Sequence, residues 1–80
     1  MHEWLMVEEL VDKASTLAKE QGMTKVTKLK LNLGRKDHST PESIMVAFQV
    51  KSKKTILEGA ALEICRVPGD GLVLASMEGE

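Results

Sequence analysis

Lys28-Leu29-Lys30-Leu31-Asn32-Leu33 alternates strictly between polar and apolar side chains. That period of two predicts a β-strand with one face in water and one on a core. Gly34 stops it. Before the strand, residues 3–21 repeat apolar side chains at Val7, Leu10, Val11, Ala14, Leu17 and Ala18, the spacing of a helix lying on a core. Glu3, Glu8 and Glu9 load its start with acid, Lys19 sits in its last turn, and Gly22 ends it, all in the sense favoured by the helix dipole.

After the strand, Ser39-Thr40-Pro41-Glu42 predicts a second helix start. Ser39 with Glu42 fits a capping box, and Thr40 with Pro41 fits an N-cap followed by proline in the first turn. In the helix that follows, Ile44, Ala47, Phe48 and Lys51 share one stripe, with Met45, Val46 and Val50 expected to fill in around it. The run Lys51-Ser52-Lys53-Lys54 reads as a solvated helix C-terminus rather than a phosphate site. Ala61–Val67 and Leu72–Met77 predict two further strands. Pro68-Gly69-Asp70-Gly71 between them has strong turn chemistry, so a hairpin is expected. The order α-β-α-β-β predicts an α+β two-layer domain, a three-stranded sheet covered on one face by two helices.

Eighty residues make one domain, near the lower end of what folds alone. At 42% hydrophobic and 29% charged, with eleven basic against twelve acidic residues, the composition is that of an ordinary globular protein. Nothing in this balance favours nucleic acid or an anionic membrane. Trp4 and Phe48 are the only aromatic residues, too few for a base-stacking platform. No signal peptide is visible and no apolar run approaches the ~20 residues of a membrane span. With a single cysteine, Cys65, no internal disulfide can form, and a cytoplasmic location is expected.

Enzyme signatures are missing: there is no glycine-rich phosphate loop, no HExxH, no CxxC and no nucleophile elbow. The chemical groups that remain are the N-terminal amine, His2, Glu3, His38 and Cys65. Cys65 alternates with Leu62 and Ile64 and lies on the opposite face of its strand, which suits an inert structural thiol. His38 falls in the charged loop Arg35-Lys36-Asp37-His38 and reads as a surface histidine. Trp4 reads as an anchor of the first helix to the core.

Met1-His2-Glu3-Trp4, then "KVTKLKLNLG" at 25–34, "PES" at 41–43, "VAF" at 46–48, "KKTILEGAALEI" at 53–64 and "VP" at 67–68 follow one another in order and spacing. Together these blocks resemble the HypA/HybF family, the nickel-delivery proteins of nickel–iron hydrogenase maturation. The resemblance runs from Met1 to about Pro68. It implies a non-catalytic metallochaperone that holds Ni(II) at Met1, His2 and Glu3, and two partners, a HypB-like GTPase and the hydrogenase large-subunit precursor.

Two departures stand out. After "VP" the family typically carries a zinc lobe built on two CxxC pairs. This chain has none of those cysteines, while "GLVLASMEGE" at 71–80 resembles the family's last strand and tail. The expectation is one nickel-binding domain over 1–80, with a turn near 68–71 in place of the lobe and no structural zinc. The second departure is "GRKDHST" at 34–40, which adds His38 as a further candidate ligand.

The chemistry at the chain start is specific. Ni(II) accepts square-planar nitrogen and oxygen donors. With histidine second, the terminal amine, the His2 amide nitrogen and the His2 imidazole can form fused chelate rings. Glu3 can add either its carboxylate or its amide nitrogen as fourth donor. The alternative is an adaptor that keeps the fold and binds a maturation partner without nickel. An exposed sheet edge would also allow two copies to pair as a homodimer.

Overall fold

The computed structural model describes residues 2–80, with His2 described through its backbone alone. The Met1 amine and the His2 imidazole, named above as donors, lie outside the described residues. Five elements follow in the expected order: α1 (His2–Glu20), β1 (Val26–Gly34), α2 (Pro41–Lys51), β2 (Ala61–Val67) and β3 (Leu72–Gly79).

β1 forms the centre of the sheet because its apolar face has nowhere else to go. Leu29, Leu31 and Leu33 are completely buried, together with Val26. They meet Val7, Leu10, Val11, Ala14 and Ala18 of α1 and Ile44, Ala47 and Phe48 of α2, and Leu57 closes the core from the α2–β2 connection. On the other face Lys28 and Lys30 reach Glu63 of β2 at 3.3 and 3.8 Å, pairs half in solvent. α1 ends in a Schellman motif: Gly22 takes a left-handed φ of 79°. Met23 N–H donates to Ala18 O at 2.9 Å and Gly22 N–H to Lys19 O at 3.0 Å.

The strand order β2-β1-β3 corrects one expectation. β2 runs parallel to β1 and β3 antiparallel to it, so β2 and β3 flank β1 and form no hairpin. A parallel neighbour needs a long crossover, which α2 provides, and that places β2 on one side of β1. The other side remains for β3, and Pro68–Gly71 must arch across the end of β1 to reach it. The arch is held by Gly34 N–H to Gly71 O at 2.8 Å, Arg35 N–H to Val67 O at 2.8 Å and Lys36 N–H to Gly69 O at 2.9 Å.

Two further details differ from the periodicity. Leu17 lies at the margin of the core and is 37% exposed. Met45, Val46 and Val50 do not fill in around the buried stripe of α2 but are 42, 54 and 48% exposed. In a two-layer domain a helix has one buried face, and α2 carries more apolar residues than that face can hold. Among the described residues no helix is long and apolar enough to cross a membrane.

Candidate metal site

The connections bring three chain ends together. α1 and α2 each pack on the sheet antiparallel to β1, so both begin where β1 finishes. Two contacts demonstrate this alignment. At the start of both helices Ser43 Oγ lies 3.0 Å from Glu3 Oε2, and further along Lys51 Nζ donates to Glu8 Oε1 at 2.8 Å. Lys51 also sits 6.0 Å from the centroid of the Trp4 ring. Trp4 is half-buried against the core, as an anchor should be.

The beginning of α2 is built by Thr40 rather than Ser39. Thr40 is the N-cap, extended at φ −102° and ψ 157°. Its hydroxyl accepts the Ser43 N–H at 3.2 Å while Ser43 Oγ accepts the Thr40 N–H at 3.1 Å, a reciprocal capping box. Ser39 is instead buried: its N–H donates to Asp37 Oδ1 at 2.9 Å and its carbonyl accepts from Arg66 at 3.3 Å. The Ser39–Glu42 pairing therefore gives way to Thr40–Ser43.

Of the three donors expected at the chain start, Glu3 is the one whose side chain the structure describes, and it is engaged with α2. His38 stands on the loop leading to the Thr40 cap, at the same end of the molecule, but it is exposed and makes no hydrogen bond or ion pair among the described residues. Asp37, one residue earlier, is buried at 7% exposure, as Ser39 is on the other side of His38. An Asp two residues ahead of Ser39, in an Asx-type turn, was the signal for it. Cys65 is half-buried on β2, paired with Asn32 of β1. Among the described residues no three His, Cys, Asp or Glu side chains gather into a group that could hold a metal.

The family model described as hydrogenase/urease nickel incorporation, metallochaperone, HypA, matches residues 1–72. This chain belongs to the HypA family. The hydrogenase maturation factor HypA of Dechloromonas aromatica is 32% identical, over 98% of this chain and 69% of that protein. HypA of Methylocella silvestris is 34% identical over 89% of this chain and 63% of its own length. HypA of Rhizobium leguminosarum bv. viciae is 28% identical over 92% and 66%. This chain therefore spans about two thirds of the length of the HypA relatives it matches. The solution structure of the Ni metallochaperone HypA from Helicobacter pylori superposes with a TM-score of 0.85 over 96% of each chain at 14% identity, so the fold is shared. These relatives are named as maturation factors and a metallochaperone, in keeping with the expectation of a protein without catalysis.

Proposed function

We propose that this chain holds Ni(II) at its start and hands it over during the maturation of a nickel enzyme, with hydrogenase the leading recipient. The donors are the Met1 amine, the amide nitrogen and imidazole of His2, and Glu3 through its amide nitrogen or its carboxylate. The observation that carries this reading is that α1 begins at His2. The first N–H groups of a helix have no intrahelical acceptor, so an amide nitrogen there can bind a metal without breaking the ladder. Each of the two helix starts disfavours a cation by about 0.3–1 kcal/mol, and the Glu3 carboxylate between them offsets this. Fused chelate rings supply the remaining affinity.

The rest of the reading follows the family. Nickel is cargo, received from or passed to a HypB-like GTPase and delivered to a hydrogenase large-subunit precursor in the cytoplasm. The domain functions without structural zinc, the Pro68–Gly71 arch standing where the longer relatives have room for a lobe. His38 is the reserve ligand, on the loop beside the helix starts.

The decisive experiment compares the native-start protein with a His2→Ala variant and with a version extended ahead of Met1, each titrated with nickel. The terminal chelate predicts stoichiometric binding in the first and none in the other two, with unchanged circular dichroism in all three. Identical titration of native and extended proteins would sink the proposal. A second reading, an adaptor that carries no nickel, draws on the exposed Met45, Val46 and Val50 of α2, an apolar surface suited to a protein partner. It predicts no stoichiometric nickel in any of the three.

A further inference from the structure

Resting on the terminal-chelate reading, we propose that Ser43 is the positioning residue of the site: it pins the Glu3 carboxylate to α2 and leaves the Glu3 amide nitrogen as the donor that faces the metal.

The hydrogen bonds around Ser43 leave little freedom. Its oxygen accepts the Thr40 N–H at 3.1 Å, so its single proton must be donated elsewhere. Three oxygens are in range, the Thr40 carbonyl at 2.9 Å, Glu3 Oε2 at 3.0 Å and Thr40 Oγ1 at 3.3 Å, the last already accepting the Ser43 N–H. The Thr40 carbonyl already accepts the Ile44 N–H at 3.0 Å as the first rung of α2. Glu3 is a half-buried carboxylate with no other hydrogen-bond donor among the described residues, and an ionised acceptor takes the stronger bond. The proton therefore goes to Glu3.

This position also satisfies the electrostatics. The carboxylate lies against the starts of two helices at once, where both dipoles favour a negative charge. If the carboxylate swung onto a metal, it would vacate the second helix start and leave the Ser43 hydroxyl without its charged partner. The Glu3 amide nitrogen bears no such cost, because the first turn of α1 does not use it. Ser43 thus performs two tasks with one hydroxyl: it completes the α2 capping box and it decides which Glu3 donor is offered. The loading state of the chain start is linked through it to the first turn of α2.

The test uses nickel on the full chain, with three variants. Ser43→Ala removes the tether, Ser43→Thr restores a hydroxyl at the same place, and Thr40→Ala weakens the cap while leaving Ser43 and Glu3 intact. Two properties are read at nickel saturation: the yellow absorption of square-planar Ni(II), and the protons released per nickel, counted by calorimetry in two buffers of different ionisation enthalpy. Losing one hydrogen bond to a charged acceptor should shift the balance between amide-bound and carboxylate-bound nickel about tenfold toward the carboxylate. Ser43→Ala should therefore be paler and release fewer protons, while Ser43→Thr and Thr40→Ala should match wild type under conditions where all are folded by circular dichroism. An unchanged Ser43→Ala, or a Thr40→Ala that changes just as much, would reduce Ser43 to a helix cap and overturn the assignment alone. A wild-type protein that binds no nickel would overturn the terminal chelate, and this assignment with it.

Discussion

Glu3 and Ser43 are forty positions apart in the chain, yet their side-chain oxygens meet at 3.0 Å where two parallel helices begin. The second contact between the same helices, Glu8 to Lys51 at 2.8 Å, lies on the surface and is worth about 0.2–1 kcal/mol. The Glu3–Ser43 contact differs in kind, because it joins the first turn of the chain to the cap of another helix. A residue expected to serve the helix dipole and the metal also carries part of the tertiary structure.

Gly34 should tolerate no side chain. A Cβ there would stand 2.5 Å from the Cα and N of Asp70 and from the carbonyl of Gly69, all backbone atoms. Gly34→Ala should cost about 1–3 kcal/mol, as overpacking does, and should loosen the arch first. Chemical denaturation gives the cost, and faster amide exchange at Gly34, Arg35 and Lys36 would locate it. A midpoint equal to wild type would mean that the arch is free to shift.

Leu31 tests the centre of the sheet. Completely buried on β1, it should lose about 2–5 kcal/mol on substitution by alanine. That is a large share of the about 5–15 kcal/mol available to a domain. Val73→Ser, at a β3 position 58% exposed, should stay within about 0.5 kcal/mol of wild type. Similar denaturation midpoints for the two variants would contradict the placement of β1 at the core.

Acid should strip nickel from the protein. Every proposed donor must be deprotonated to bind, so affinity rises with pH and falls as the amine and imidazole regain protons. Ligation through amide nitrogen adds protons that only the metal can displace, and more than one proton per nickel should leave near neutral pH. A count close to zero would exclude amide ligation and leave imidazole and carboxylate groups, with His38 the nearest reserve.

Zinc should be dispensable. A closed structural zinc site takes four ligands, usually several thiolates, and Cys65 is the chain's one cysteine. Dialysis against a chelator should leave the melting temperature unchanged. Stoichiometric zinc surviving that treatment would contradict the reading of a single domain without a metal lobe.

The parts legible in the sequence are those governed by local spacing. The alternation of Leu29, Leu31 and Leu33 announced the buried strand, the i, i+3, i+4 pattern from Val7 to Ala18 announced α1, and Thr40-Pro41 announced α2. Partnering was not legible. β2 and β3 each show a half-buried pattern that suits any neighbour, and Pro68-Gly69-Asp70-Gly71 serves as well for an arch over a third strand as for a hairpin. Met45, Val46 and Val50 misled because α2 is apolar on most sides, so periodicity cannot tell its buried face from its exposed one. At the candidate site, His38 carries the metal-binding chemistry yet is exposed, while Asp37 and Ser39 on either side of it are buried. The Glu3–Ser43 contact depends on how α1 and α2 align across the sheet, which no short-range spacing encodes.

The arch between β2 and β3 has a consequence for how this architecture changes over time. Each of those strands is held to β1 by its own ladder, so strand registration rests mainly on the ladders and the segment joining them adds its three backbone hydrogen bonds only at the end of β1. Its two feet stand two strand spacings, about 10 Å, apart, a gap that the termini of a compact inserted module can bridge. A module spliced in at this point would rise from the C-terminal end of β1, the end where both helices begin. Gain or loss of such a module would leave the leucine core undisturbed while changing the end of the molecule where both helices begin. The fold is in this sense a base with a socket, and the socket opens at the end of the molecule where α1 and α2 begin.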